Sequence, residues 1–184
     1  MSKTVLVPVA QGSEEMEAVI IIDMLRRAGL RVIVAADNQI VTCSRGVKII
    51  PDVFFDDIEP DDEFDAIIIP GGMPGTEYLR SNPVLEDILK KHNSKSGLIG
   101  AICAAPVILT NHKILPEKSP VTSHPSVKNE LIRYDYKEDD VVQAGNVITS
   151  RGAGTAFDFT LRIIEILAGK EKAEQIAGAI VYKK

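Results

Sequence analysis

Cysteine is scarce in this chain: Cys43 and Cys103 are the only two among 184 residues. Two thiols build neither a disulfide framework nor a zinc cluster, so reduced thiols in a cytosolic protein are expected. Positive charge is also short. Lys and Arg total 21 against 26 Asp and Glu, for a net charge of -5. With no basic stripe to offset that balance, a nucleic-acid partner is not expected. No apolar run is long enough to cross a bilayer, so no membrane partner is expected either. Met1-Ser2-Lys3-Thr4 leads straight into an apolar strand, without a signal-peptide h-region or cleavage site. That points to the cytoplasm, with the nucleus open in a eukaryote. Walker and full dinucleotide-binding motifs are missing, and no His/Cys/Asp cluster has metal-ligand spacing. Neither a metal nor another cofactor is therefore expected. Repeats, low-complexity segments and linkers are absent as well. A length of 184 residues with 45% hydrophobic side chains suits one domain over residues 1–184.

What is present is an alternation of apolar strands and amphipathic helices. Strands are expected at Val5–Val9, Arg31–Ala36, Ala66–Ile69 and Gly97–Ile102, with helices after each strand except the second. Fully apolar runs such as Ala66-Ile67-Ile68-Ile69 suit strands buried on both faces of a parallel sheet. The second strand is followed by a small hairpin, Gln39–Thr42 with Val47–Ile50. The acidic stretch Pro51–Asp65 reads as a surface loop or short helix. Tyr134–Tyr136, Val141–Ala144 and Val147–Ser150 read as short strands, partly a meander. The fold class is α/β, a flavodoxin-like three-layer sandwich with a mostly parallel sheet.

One stretch organises this pattern. Gly97-Leu98-Ile99-Gly100-Ala101-Ile102-Cys103-Ala104-Ala105-Pro106 reads as a buried strand that turns at a cysteine into a helix over Ala104–Asn111. Small residues on both sides of the thiol permit a sharp turn. This is the logic of a nucleophile elbow, with sulfur as the attacking atom. A helix start also favours the thiolate, so a lowered thiol pKa is expected at Cys103.

Three further elements are expected at the carboxyl edge of the sheet. On the first helix, Glu14–Ala28, with Ser13 as N-cap, Glu17 shares the apolar face of Ile20, Ile21, Met24 and Ala28 and is expected to point inward, the alternative being a helix end near the surface where it reaches water. A buried carboxylate is costly unless paired or protonated. Gly71-Gly72 ends the strand before the elbow, where its N–H groups suit one side of an oxyanion site. Of the three histidines, His124 lies in a strand-end loop and is the best partner for Cys103. His92 belongs to the end of a surface helix, and His112 to the far end of the elbow helix. No acid follows His124 at a triad-like spacing, so a loose dyad is expected.

Gly12-Ser13-Glu14-Glu15-Met16-Glu17, Cys43-Ser44-Arg45, Pro70-Gly71-Gly72, Ala101-Ile102-Cys103-Ala104-Ala105-Pro106 and Thr149–Thr155 closely resemble the ThiJ/PfpI superfamily. In particular they resemble its Parkinsonism-associated redox-sensor and protein-deglycase branch, through nearly the whole chain. The resemblance implies a homodimer of flavodoxin-like domains. It implies that Cys103 is the oxidisable, catalytic cysteine, that protonated Glu17 hydrogen-bonds its sulfur, and that His124 is an acid/base group nearby. It further implies that Gly72 and Ala104 offer N–H groups to an oxyanion and that Arg45 and Arg151 line the dimer-proximal side of the pocket. The implied activities are glutathione-independent glyoxalase, acting on small dicarbonyls such as methylglyoxal, and deglycation of Cys, Lys and Arg adducts. Redox-regulated chaperone and oxidative-stress roles are implied as well.

Three departures matter. Protease-like members place a His after the cysteine, where this chain has Ala104, which argues against a peptidase. Ala105 and Ala153 replace a Gly and a Pro of the branch. Its third cysteine falls at Ile50. Two function classes follow: a cysteine enzyme acting on dicarbonyls, and a redox sensor or chaperone in which Cys103 is oxidised to a sulfinate with little turnover. An α/β binding domain with an inert cysteine is the third reading.

Overall fold

The computed structural model describes residues 2–59 and 62–183. Met1, Pro60, Asp61 and Lys184 lie outside the described residues, and with them the middle of the acidic stretch and the last residue of the tail. A seven-stranded sheet forms the middle layer. Its first strands are β1 (Thr4–Pro8) and β2 (Arg31–Ala36), joined by helix α1 (Glu15–Arg27). A two-residue pair, β3 (Val41–Thr42) and β4 (Lys48–Ile49), forms the expected antiparallel hairpin outside the sheet. The sheet continues with β5 (Val53–Phe54), β6 (Ala66–Ile69) and β7 (Leu98–Ile102). Between β6 and β7 run α2 (Gly75–Arg80) and α3 (Pro83–Ser94). After β7 come α4 (Pro106–Asn111), the pair β8 (Pro120–Val121) and β9 (Asp135–Tyr136), and the hairpin β10 (Val141–Ala144) and β11 (Val147–Ser150). Helices α5 (Ala156–Ala168) and α6 (Lys170–Ala179) complete the order.

The strand order is β10-β11-β7-β6-β1-β2-β5. All pairings are parallel except β10 with β11 at the edge. β2 lies on one side of β1 and β6 on the other, so the order reverses beside β1. Ligands of such sheets bind outside the carboxyl ends of the strands at that point. Two apolar clusters cover the faces. One contains Val5, Val7, Ile21, Leu25, Ile68, Phe159 and Ile163 under α1 and α5. The other contains Leu6, Ile67, Ile69, Leu85, Leu89, Ile99 and Ile108 under α3 and α4. Alternate residues of each strand feed opposite clusters, which explains why the strands read as unbroken apolar runs.

Several boundaries differ from the sequence reading. α1 is capped by Glu14, whose side chain accepts from Met16 N–H. Ser13 instead accepts from Ala10 N–H at 3.0 Å and closes the turn before the helix. β5 was concealed in the acidic stretch, because two residues are too few for a visible period. α2, starting at Gly75, was likewise hidden behind Pro74. The meander is confined to β10 and β11, since β9 pairs with β8 away from the main sheet. His92 is buried in the last turn of α3, not on a surface helix end. Its Nε2 lies 3.0 Å from Leu98 C=O, in space left by Gly97, where a Cβ would come within 2.2 Å of the imidazole. His112 caps α4 and its Nδ1 lies 3.3 Å from Glu86 Oε1. Both histidines serve the packing of α3 and α4.

Candidate active site

Cys103 follows the last residue of β7 and adopts φ 64. That is the left-handed region, uncommon for a side chain with a Cβ, and it turns the chain at once away from the strand. Ala104 and Ala105 are buried, so larger side chains would not fit. Strain of this kind persists only where the surroundings over-determine it. Here Cys103 N–H donates to Ser150 C=O at 3.0 Å, and Cys103 C=O accepts from His124 N–H at 2.8 Å.

Glu17 enters from the first turns of α1 and is fully buried, as its place on the apolar face required. Its Oε2 accepts from Gly71 N–H at 2.7 Å. Its Oε1 has no nitrogen or oxygen partner, and the carboxyl group faces the Cys103 thiol. Gly71 must be glycine, because a Cβ there would sit 2.6 Å from Cys103 Cβ and 2.9 Å from Ala104 N. Its N–H is spent on Glu17 and is not free for an oxyanion. Gly72 (φ 92) and Ala104 are the residues whose N–H groups face the sulfur.

Electrostatics at the thiol run opposite to the helix-start expectation. Burial pushes the Cys103 thiol up to about 12, and the charge and hydrogen bond of Glu17 push the same way; the N–H groups of Gly72 and Ala104 pull it down. α4 begins only at Pro106, and the helix start does not outweigh burial. Burial also pushes Glu17 up to about 7. Gly71 N–H and the thiol act against that rise, and the charge of Glu14 adds to it. The two groups therefore titrate as a pair. The upward push of Glu17 on the thiol exists only while Glu17 is ionised. A neutral Glu17 can donate its proton to the sulfur and stabilise a thiolate.

The remaining candidates form a rim. His124 is exposed; its Nδ1 accepts from Ser126 N–H at 3.2 Å and lies 2.8 Å from Ser126 Oγ. That contact leaves Nε2 to carry the hydrogen of a neutral ring. The backbone, not the imidazole, ties His124 to Cys103. Gly152 lies beside it, its ideal Cβ position 3.7 Å from His124 Cδ2. The guanidinium of Arg151 donates to Glu138 C=O at 2.7 Å. Arg45 N–H donates to Glu15 Oε1 at 2.8 Å, and its guanidinium to Ser44 C=O at 3.2 Å. Within the described residues of this chain neither arginine is joined to the thiol. Ser44, Glu14 and Glu15, which the sequence reading passed over as site residues, hold the hairpin loop on the start of α1. The Glu-Glu-x-Glu run and Cys43-Ser44-Arg45 were the signals for them.

The sequence and the fold have counterparts among known proteins. The DJ-1/PfpI family profile matches residues 3–166. The chain belongs to the DJ-1/PfpI family. Protein dj-1beta of Drosophila melanogaster is 46% identical over 185 residues, covering 98% of each chain. A relative from Caenorhabditis elegans, named glutathione-independent glyoxalase DJR-1.2, is 43% identical over 186 residues, covering 100% of this chain and 97% of its own. The crystal structure of Drosophila melanogaster DJ-1beta matches with a TM-score of 0.95 at 44% identity, with both chains fully covered. The matched span includes the motifs around Glu17, Gly72 and Cys103. Among the described residues no helix is long and apolar enough to cross a membrane.

Proposed function

We propose that this DJ-1/PfpI chain is a cofactor-free, glutathione-independent glyoxalase and protein deglycase that acts through Cys103 in the cytoplasm, with residues 1–184 as one domain. The observation that carries this reading is the buried Glu17 carboxyl facing the Cys103 thiol and raised to about 7. A neutral acid there can pass its proton to a carbonyl oxygen as sulfur attacks. Attack on the aldehyde carbon of methylglyoxal forms a C–S bond and gives a hemithioacetal, its oxygen held by Gly72 and Ala104 N–H. Glu17 or His124 then removes the proton from the sulfur-bearing carbon, giving an enediol. Return of a proton to the neighbouring carbon gives a lactoyl thioester. Water cleaves the C–S bond, releasing lactate and the thiol. The same attack on glyoxal yields glycolate; on hemithioacetal or aminocarbinol adducts the sulfur forms its C–S bond as the bond to the adducted Cys sulfur or Lys or Arg nitrogen breaks, the released group takes the proton, and the Cys103 hemithioacetal follows the same steps, which amounts to deglycation. The name of the Caenorhabditis elegans relative supports this class.

Assembly as a homodimer is part of the proposal. Met16 and Val19 on α1 and Val47 and Ile50 on the hairpin are 57%, 49%, 49% and 74% exposed. Val19 and Ile50 line one surface hollow, and a second copy would cover these exposed apolar side chains. The deciding test is lactate formation from methylglyoxal by purified protein and by Cys103→Ser. Equal lactate from both ends the enzyme reading.

A second reading is favoured by the same acid. Two equivalents of peroxide convert the thiol to a sulfinate with loss of two waters, and a protonated Glu17 would hydrogen-bond the product. A redox sensor or oxidation-regulated chaperone in the stress response would result. Intact mass after mild peroxide should show two added oxygens on Cys103 and none on Cys43. A Glu17→Leu variant that sulfinates as readily as wild type removes the support for this reading.

A further inference from the structure

Cys103 lies just beyond the carboxyl end of β7, and a separate cavity lies at the other end of that strand. Gly97 precedes β7, Asp65 precedes β6 and His92 stands in the last turn of α3, and all three line it. Its volume is about 830 Å³, within the range of sites for small organic molecules. Among the described residues it shares no wall with Cys103, Glu17 or His124. The five residues of β7, about 17 Å of extended chain, stand between the two places. One side of the cavity is apolar, formed by Phe55, Ile58, Phe64, Val84 and Ile88. Phe55 belongs to the core under α3 and α4, and the other four are partly buried side chains packed against that core. Part of their apolar surface is therefore left for the cavity.

The polar groups of the walls are mostly acceptors. Asp56, Glu59, Asp62, Glu63, Asp65 and Asp87 stand against two lysines, Lys91 and Lys95. Lys95 is committed to Glu63 at 2.5 Å, and Lys91 is engaged too. Asp62 and Asp65 accept from Glu59 N–H at 3.0 Å and Thr4 N–H at 2.8 Å. Asp56, Glu59 and Asp87 form no ion pair among the described residues. His92 adds an acceptor of another kind. It is 9% exposed, and its Nε2 lies 3.0 Å from Leu98 C=O. A carbonyl only accepts, so Nε2 carries the hydrogen in that contact. The neutral ring then keeps a lone pair on Nδ1, which no hydrogen bond occupies among the described residues. Burial holds the ring below the usual histidine range, against the pull of the Leu98 contact and the Asp65 charge, so it is neutral near pH 7.

We propose that this cavity binds a small organic ammonium ion with an apolar body, its N–H groups taken up by His92 Nδ1 and the unpaired carboxylates and its body laid on Ile58, Phe64 and Ile88. An ammonium group has three donors and no acceptor, which matches walls rich in acceptors. A carboxylate or phosphate would meet Asp56, Glu59 and Asp87 with like charge. A neutral apolar molecule would leave Nδ1 without a partner, a cost that a buried polar atom does not bear lightly. A bare cation would leave the apolar side in water, and among the described residues no group of His, Cys, Asp and Glu could hold a metal ion. The proposal is independent of the chemistry proposed for Cys103, which lies at the opposite edge of the sheet.

The test titrates cyclohexylmethylammonium near pH 7 into the full chain and follows the backbone amide NMR signals. Saturable shifts are expected over residues 55–59, 62–65 and 84–97, while the signals of Cys103, Ala104 and His124 stay in place. Cyclohexylacetate has the same body with the opposite charge, and methylammonium has the charge without the body. Each should bind more weakly than the probe by about tenfold or more. Asp87 is exposed on α3, so its replacement spares the fold. Asp87→Asn should weaken the probe by about threefold and Asp87→Lys by about tenfold. The absence of a saturable shift, or shifts centred outside these segments, overturns the proposal. Equal binding of cyclohexylacetate does so too, because the cavity is then only apolar. Equal binding of methylammonium leaves only a diffuse acidic surface, and an unchanged affinity in Asp87→Lys removes the acids from the site; either result also overturns it.

Discussion

Cys103 and Cys43 are the same residue type, Cys43 buried and Cys103 partly exposed, and their thiols are pushed up to a similar degree. Burial, then Glu15, then Glu14 raise Cys43 to about 11; burial, then Glu17, raise Cys103 to about 12. A raised thiol is therefore not what separates them. The difference lies in whether the opposing charge can be removed. Glu15, beside Cys43, is met by the Ser44 hydroxyl and by Arg45 and Val47 N–H, so it stays ionised and the thiol stays a thiol. Glu17, beside Cys103, has one N–H donor and is itself driven toward the neutral form. A proton on Glu17 turns a repelling neighbour into a donor. Backbone N–H groups complete the contrast, since those of Gly72 and Ala104 lower the thiol only at Cys103.

The largest effect should come from deleting each sulfur in turn. Cys103→Ser is expected to lower lactate production by about a thousandfold or more, and Cys43→Ser by no more than about twofold. Comparable losses in the two variants would erase the distinction between the sites. Next comes the acid. Glu17→Gln should reduce kcat/KM by about a hundredfold while stabilising the fold at alkaline pH. Glu17 binds its proton more tightly in the folded chain, with a pKa of about 7 against an ordinary 4.5. Wild-type stability relative to Glu17→Gln is thus full below pH 4.5, falls as pH rises from there to about 7, and levels above it. The gap at pH 8 is at most on the order of 3 kcal/mol. Urea unfolding of both proteins at pH 4 and pH 8 reads it, and a gap of equal size at both would place the effect in packing.

A third contrast is between two glycines of similar backbone angle. Gly72 has φ 92 and Gly46 has φ 91. A Cβ at Gly72 would meet Glu14 N at 2.3 Å, whereas Gly46 has open space around it. Gly46→Ala should cost about 1 kcal/mol, the conformational term alone. Gly72→Ala should cost about 2 kcal/mol more, because backbone must shift, and should move the pH profile of Cys103 alkylation by iodoacetamide as well. Equal costs in thermal unfolding would show that the backbone at Glu14 yields easily.

Much of this site was legible because its signals are local. The apolar run to Ile102, the small residues around Cys103 and the inward place of Glu17 each rest on a handful of consecutive residues. The resemblance and the α/β pattern agreed with them. What stayed hidden depends on pairs far apart in the chain. Gly71 N–H is occupied only because Glu17 arrives from a helix that follows another strand. The Ser44 hydroxyl reaches α1 only once the hairpin folds back. The thiol rises because burial and Glu17 outweigh a helix start, a balance of magnitudes that residue types do not state. His92 looked exposed because a lone histidine in a charged helix end gives no sign of the Leu98 carbonyl waiting beneath it. The short elements β5 and α2 fell below the length at which periodicity can be read.

The smallest expected effect concerns the rim. Among the described residues the His124 ring has its polar contacts with Ser126, through Oγ at 2.8 Å and N–H at 3.2 Å. Ser126→Ala removes the shorter contact and keeps the N–H, so the ring retains its tautomer and loses part of its restraint. Lost orientation of one group in a loose pair amounts to a single neutral hydrogen bond, about 0.5–1 kcal/mol, or a twofold to fivefold fall in kcat/KM. Alkylation of Cys103 should stay on the wild-type pH profile, because His124 is not among the groups that shift the thiol. A fall as large as that of Glu17→Gln would make His124 the main proton carrier and reduce Glu17 to a support. A moved alkylation profile would instead bring His124 into the titrating pair and break the contrast with Cys43 at its root.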